Sequence, residues 1–218
     1  MRLFFLFLIV AIPLYAAESG PGDWKLRRDR EGIQVYTRKV ADSPFDAVRS
    51  TMVLEGIPLS TMVALINDAE ACPQWADRCA ESRIHERTSE TEVLVYTHNN
   101  LPFPVKDRDV LSHVKWRQDP GTLTVIMTSS AATGLLEETS GRVRLTHANV
   151  DWIFEPLDDG SVRVTNEAHV DPAGPLPAWL VNMLLVDTPW ESFRGFREAI
   201  KNPKYAGAHF GFITEPGT

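Results

Sequence analysis

The chain has 218 residues, 44% hydrophobic and 23% charged, with a formal net charge of -7 at pH 7. That composition matches one folded globular domain with a large core. The acidic balance, with no long basic run, argues against nucleic acid and disfavours an anionic membrane surface as partners, because phosphate binding needs clustered Lys and Arg.

Residues 4–14 are nearly all apolar, behind Arg2 and ahead of Ala16-Ala17. A basic start, an apolar middle and small residues at the cut make residues 1–17 a secretory signal peptide. The run falls short of the about 20 apolar residues that span a bilayer. The expected product is an exported protein, periplasmic or secreted, with a folded domain over 21–203 and a tail over 204–218.

From Trp24 onward the chain reads as short strands with turn signals. Segments 24–30 and 33–39 flank Glu31-Gly32 as a hairpin, and 47–54 is a third strand. Pro58 opens a helix through Asn67, with Met62, Val63, Leu65 and Ile66 on its apolar side. Residues 70–78 form a second short helical segment around Trp75. Strands follow at 82–88, 92–99, 109–117, 122–130, 142–154 and 161–170, the last two joined by a tight turn at Asp159-Gly160. Over 176–201 the apolar residues fall at helical spacing. Pro177 suits the first turn, and Pro189 must kink the helix or split it.

Nine or so antiparallel strands and one long C-terminal helix make an α+β fold. Its curved sheet can wrap the helix and leave a mostly apolar internal cavity. Cys72 and Cys79 form a disulfide if their Cα atoms come within about 7 Å, and are otherwise two buried thiols. The six histidines show no zinc spacing, no GxSxG elbow occurs, and no metal or cofactor is indicated. Asp68, Glu70 and Asp77 read as solvated acids around helix ends.

In order and spacing, the chain resembles the START family of steroidogenic-acute-regulatory-protein-related lipid transfer domains. The resemblance runs from Trp24 to Lys201. It is carried by Trp24, Asp29, Gly32-Ile33, Val35-Tyr36 and Arg38, then Asp68 and Trp75. Pro102 through Val105 and Arg108-Asp109-Val110 follow, with Gly141, Arg144, Trp152, Pro156 and Asp159-Gly160. Asp171-Pro172, Gly174, Pro177-Ala178-Trp179 and Asn182 close it. It implies a helix-grip fold and a tunnel for one sterol, phospholipid or other lipid, which most members carry or sense without chemistry. Sterol-binding members place an acid and an Arg on adjacent cavity strands; Val95 and Val114 stand there in this chain, which implies a drier tunnel.

If Val95 and Val114 face inward, alternation brings Val93, Thr97, Val110, Ser112 and Trp116 with them. Ile126, Val150, Trp152, Phe154, Val164, Asn166 and Ala168 are chosen from later strands, and Leu180, Met183 and Leu184 from the helix. Arg144 either holds a lipid headgroup or pairs with an acid. Arg108-Asp109 reads as a structural brace for the Pro-rich loop. The loop before the last helix is a candidate gate. The leading expectation is a monomeric, non-enzymatic lipid carrier or sensor that touches membranes transiently. The alternative is a polyketide cyclase/aromatase-like enzyme, which would need cavity-facing acid–base groups such as Arg144 with His113 or His147.

Overall fold

The structure, a computed structural model, describes residues 23–217. The signal peptide expected at residues 1–17 lies outside them. Ten strands are present among the described residues: β1 Lys25–Arg30, β2 Ile33–Arg38, β3 Ala47–Leu54, β4 Cys79–Arg87, β5 Glu92–Asn99, β6 Asp107–Gln118, β7 Val125–Ala131, β8 Arg142–Arg144, β9 Ala148–Pro156 and β10 Val162–Val170. They form one sheet in the order β1-β2-β3-β10-β9-β7-β6-β5-β4, with β8 pairing β6 in parallel. The helices are α1 Leu59–Asn67, α2 Cys72–Trp75, α3 Ala178–Asn182 and α4 Thr188–Ala199.

The alternation of β2, where Ile33, Val35 and Thr37 are buried, defines the sheet's inner face. Glu31 and Gly32 both take positive φ, 56° and 71°, which turns β1 tightly into β2. Leu59, Met62, Val63 and Leu65 of α1 pack on that face beside Trp190, Phe193, Phe196 and Ile200 from the C-terminal helical segment. Gly195 lets α4 lie directly against α2: a Cβ there would sit 2.1 Å from the Trp75 carbonyl oxygen.

Three boundaries differ from the sequence reading. The single strand expected at 142–154 is two, because the Leu145 amide donates to the Asp109 carbonyl as the chain leaves β8 and crosses to β9. The C-terminal helix neither breaks nor stops before Pro189. A π-helical turn, Met183–Asp187, joins α3 to α4 and absorbs the hydrogen bond that proline cannot make. The tail is not a separate extension. Ile213 is buried, Phe210 and Phe212 pack on the core, and Glu215 accepts from the Leu59 and Ser60 amides at 2.9 and 2.8 Å. It thereby satisfies the free amides at the start of α1, where Pro58 supplies no side-chain cap.

Candidate functional site

The inner face divides into a filled part and a hollow part. Trp152 stacks on Phe193, Phe196 and Phe154 with ring centroids 5.5, 5.4 and 6.3 Å apart, and Trp116 stacks on Phe154 at 6.4 Å. These rings close the interior under α4. Beside them lies a cavity of about 180 Å³, walled by the inner faces of β4 to β7 and Trp152 on one side and by residues 66–75 on the other. Its floor is apolar: Val93, Val95, Val114, Met127 and Trp152. Its open side lies between residues 66–69 and the edge strand β4, where Ile84 is 38% exposed.

Registry explains this wall. Val93 pairs Val114, Val95 pairs Ser112, Val114 pairs Ser129 and Trp116 pairs Met127, so these side chains share one face. Cys72 also lines the cavity. It is bonded to Cys79, with Cα atoms 6.0 Å apart, which ties α2 to the start of β4 and holds that wall against the sheet.

Of the sequence-derived candidates, Val93, Val95, Thr97, Ser112, Val114 and Trp152 line the cavity. The others do not. Ile126 pairs Arg117 and Ile153 on the convex face. The choice on that strand was one residue out of phase, which turns a side chain to the other side of the sheet. Val110 belongs to a small separate core with Leu145 and Ala148. Trp116, Phe154 and Val164 are buried in the main core, and Val150 and Ala168 pack against it. Asn166 donates to the Asp151 carbonyl at 3.1 Å. Leu180, Met183 and Leu184 lie outside the cavity wall, because the π turn that carries the latter two crosses β2 and β3 instead.

Arg144 is a brace rather than a ligand contact. Its guanidinium donates to both Asp109 oxygens at 2.8 and 3.1 Å and to the carbonyls of Leu136 and Glu137 at 2.9 and 3.0 Å. Both side chains are almost fully buried, at 8% and 1% exposure. Burial pushes the Asp109 carboxyl up, but the hydrogen bonds from Arg144 and Tyr96 outweigh it and hold the group below the usual carboxylate range. The same bond raises Arg144. Arg108 braces too, donating to the carbonyls of Pro172 and Ala173 at 2.8 and 2.9 Å, so the loop after β10 is anchored to the start of β6.

Several wall residues escaped the sequence reading. Met127 and Ser129 were lost to the phase slip on β7. Ser82 and Ile84 sit opposite Thr97 and Val95 and follow from plain alternation along β4. Arg87 does not. A β-bulge between Ile84 and Glu86 shifts the parity and sets Arg87 opposite Val93 on the inner face. Asp68 at the rim is not the solvated acid that its sequence context predicts. Its carboxylate instead accepts from Lys204 at 2.6 Å and Tyr205 at 3.0 Å. Burial pushes it up, these donors bring it below its ordinary value, and Lys204 is pushed up to about 12. A second cleft, about 270 Å³, lies between α2 and α4, lined by Ala71, Trp75, Ala199 and Tyr205 together with Gln74, Glu198 and Asn202. Among the described residues no group of His, Cys, Asp and Glu is set to hold a metal ion.

A curved sheet packed on a long C-terminal helix, with an apolar cavity beside that helix, defines a helix-grip protein. The START domain model matches residues 14–205, and the chain belongs to that family. It is 30% identical over 177 residues to an uncharacterized protein of Pseudomonas aeruginosa, covering 81% of this chain and 86% of that one. Mouse phosphatidylcholine transfer protein is 25% identical over 166 residues, covering 73% and 75%. The solved structure of a STAR-related lipid transfer protein from Xanthomonas axonopodis superposes with a TM-score of 0.73 at 32% identity. That match covers 81% of this chain and 98% of that one.

Proposed function

We propose that the protein takes the apolar part of one lipid into the cavity beneath α1 and α2, and carries or senses that lipid in the cell envelope without transforming it. The observation that carries this reading is the apolar floor of Val93, Val95, Val114, Met127 and Trp152 at the end of an open, polar rim. Burying apolar surface there contributes about 25 cal/mol per Å². The transfer proteins among the relatives support the ligand class. The leader and the Cys72–Cys79 bond, which persists in oxidising compartments, support export.

Size limits what enters this conformation. An engineered apolar cavity of about 150 Å³ holds one benzene. At about 180 Å³ the cavity admits a ring or a short acyl segment. A lipid with two long chains requires the aromatic stack and α4 to move off the sheet. Exposed Phe103, in the loop before β6, and exposed Trp179, in the first turn of α3, supply the apolar side chains for a transient membrane contact.

The acid–base groups named for the cyclase reading do not line the cavity. Arg144 is held by Asp109, His113 pairs Glu92 at 2.6 Å, and exposed His147 bonds Thr146 at 3.0 Å. Native mass spectrometry of protein purified from its own compartment tests the proposal. A co-purified lipid is the expected result. Protein that stays empty and takes up no lipid from vesicles would overturn the reading.

A further inference from the structure

The arginines of this structure are mostly engaged. Arg49 pairs Glu167, Arg163 pairs Glu155, Arg28 pairs Asp187 and Arg144 pairs Asp109. Arg87 is different: among the described residues it makes no hydrogen bond, ion pair or ring contact, and it lines the cavity. Arg27 and Arg117 also make none of these contacts, but they lie on β1 and on the outer face of β6 and line no part of the cavity. The bulge in β4 is what separates them. Regular alternation from Ser82 and Ile84 would place Arg87 on the outer face; the extra residue brings it beside Val93 at the rim.

The charge of Arg87 is left open there. Asp68, the acid in the cavity lining, is already engaged by Lys204 and Tyr205. Glu92, next to Val93, belongs to the opposite face and pairs with Lys115 at 2.8 Å and His113 at 2.6 Å. Glu86 sits opposite Leu94, also on the outer face. A guanidinium presents a rigid fork that suits a phosphate or carboxylate. Arg87 at the rim therefore calls for an acceptor-bearing ligand.

We propose that Arg87 binds the anionic headgroup, phosphate or carboxylate, of an amphiphile whose apolar part occupies the cavity; this assignment rests on the lipid-binding reading above. The headgroup stays at the wet rim between residues 66–69 and β4, and the first carbons of the chain run down onto Val93, Val95 and Val114.

The test uses the small neutral dye 1-aminonaphthalene as reporter of the cavity, displaced in turn by octyl phosphate, octanoate and octanol. Replacing Arg87→Gln is expected to weaken displacement by one or both anions about fivefold, the scale of a partly exposed charge pair. Octanol should change by less than about twofold. Whichever anion loses more names the headgroup source. Arg27→Gln should behave as the unsubstituted protein. Equal weakening of anions and octanol in R87Q, or none, would overturn the assignment while leaving the cavity reading intact. Failure of the dye and all three amphiphiles to enter the unsubstituted protein would overturn the cavity reading and this assignment with it.

Discussion

The two parts of the sheet's inner face use the same alternation and end differently. Under α4, Phe154 and Trp152 of β9 meet Phe193 and Phe196, and large rings fill the space. Under α1 and α2, the facing residues are Val93, Val95, Ser112, Val114 and Ser129, too small to reach the opposite wall. One part stabilises the fold and the other leaves room for a ligand. The difference comes from side-chain volume at equivalent positions, because protein interiors otherwise pack close to crystal density.

Substitution in each part should separate these roles. Phe196→Ala removes a fully buried ring from the filled part and is expected to cost about 3–5 kcal/mol by denaturant unfolding. Val114→Ala, on the hollow wall, should cost only about 1–2 kcal/mol, while changing the affinity for the apolar dye. Comparable losses at both sites would break the distinction.

The Asp109–Arg144 brace stands outside both parts. Asp109→Asn leaves a buried guanidinium short of its partner and should destabilise by about 3–5 kcal/mol with no change in dye affinity. Its folded carboxyl lies below the unfolded value of about 3.9, so its contribution is complete above that pH and is lost as pH falls through the folded value. Stability of the Asn variant should accordingly fall less steeply below about pH 4 than that of the unsubstituted protein, as urea titrations at each pH would show.

Removing the disulfide with Cys72→Ala and Cys79→Ala closes no loop in the unfolded chain. For residues seven apart the chain-entropy model gives a loss of about 2–3 kcal/mol. Since Cys72 lines the cavity, dye affinity should drop as well; a stability loss with unchanged affinity would show that α2 keeps its place without the bond. The smallest effect is expected from Glu215→Ala, about 1 kcal/mol, from losing the α1 cap, read as a lowered melting temperature with unchanged dye binding.

Periodicity made most of the fold legible. β2, β3, β5, β6 and β10 lie where the sequence pattern placed them, most plainly β2, where buried and half-buried residues alternate. Order and spacing of short motifs made the family legible. The site was readable only where strands were regular: Val93, Val95, Thr97, Ser112 and Val114 follow from one correct phase on two paired strands. On β7 the phase was open, because Ile126 and its neighbours Val125 and Met127 are all apolar.

The linear order of residues determined that this chain folds as a strand-rich sheet with an amphipathic C-terminal helix and an apolar interior, since hydrophobic period is local and survives without knowledge of the neighbours. Which arginine would be consumed and which left free was decided only in three dimensions. Arg144 finds Asp109 across the β6–β8 pairing, and a bulge turns Arg87 toward the cavity. Partner and direction depend on registry between distant segments, and registry is set by packing of the whole sheet.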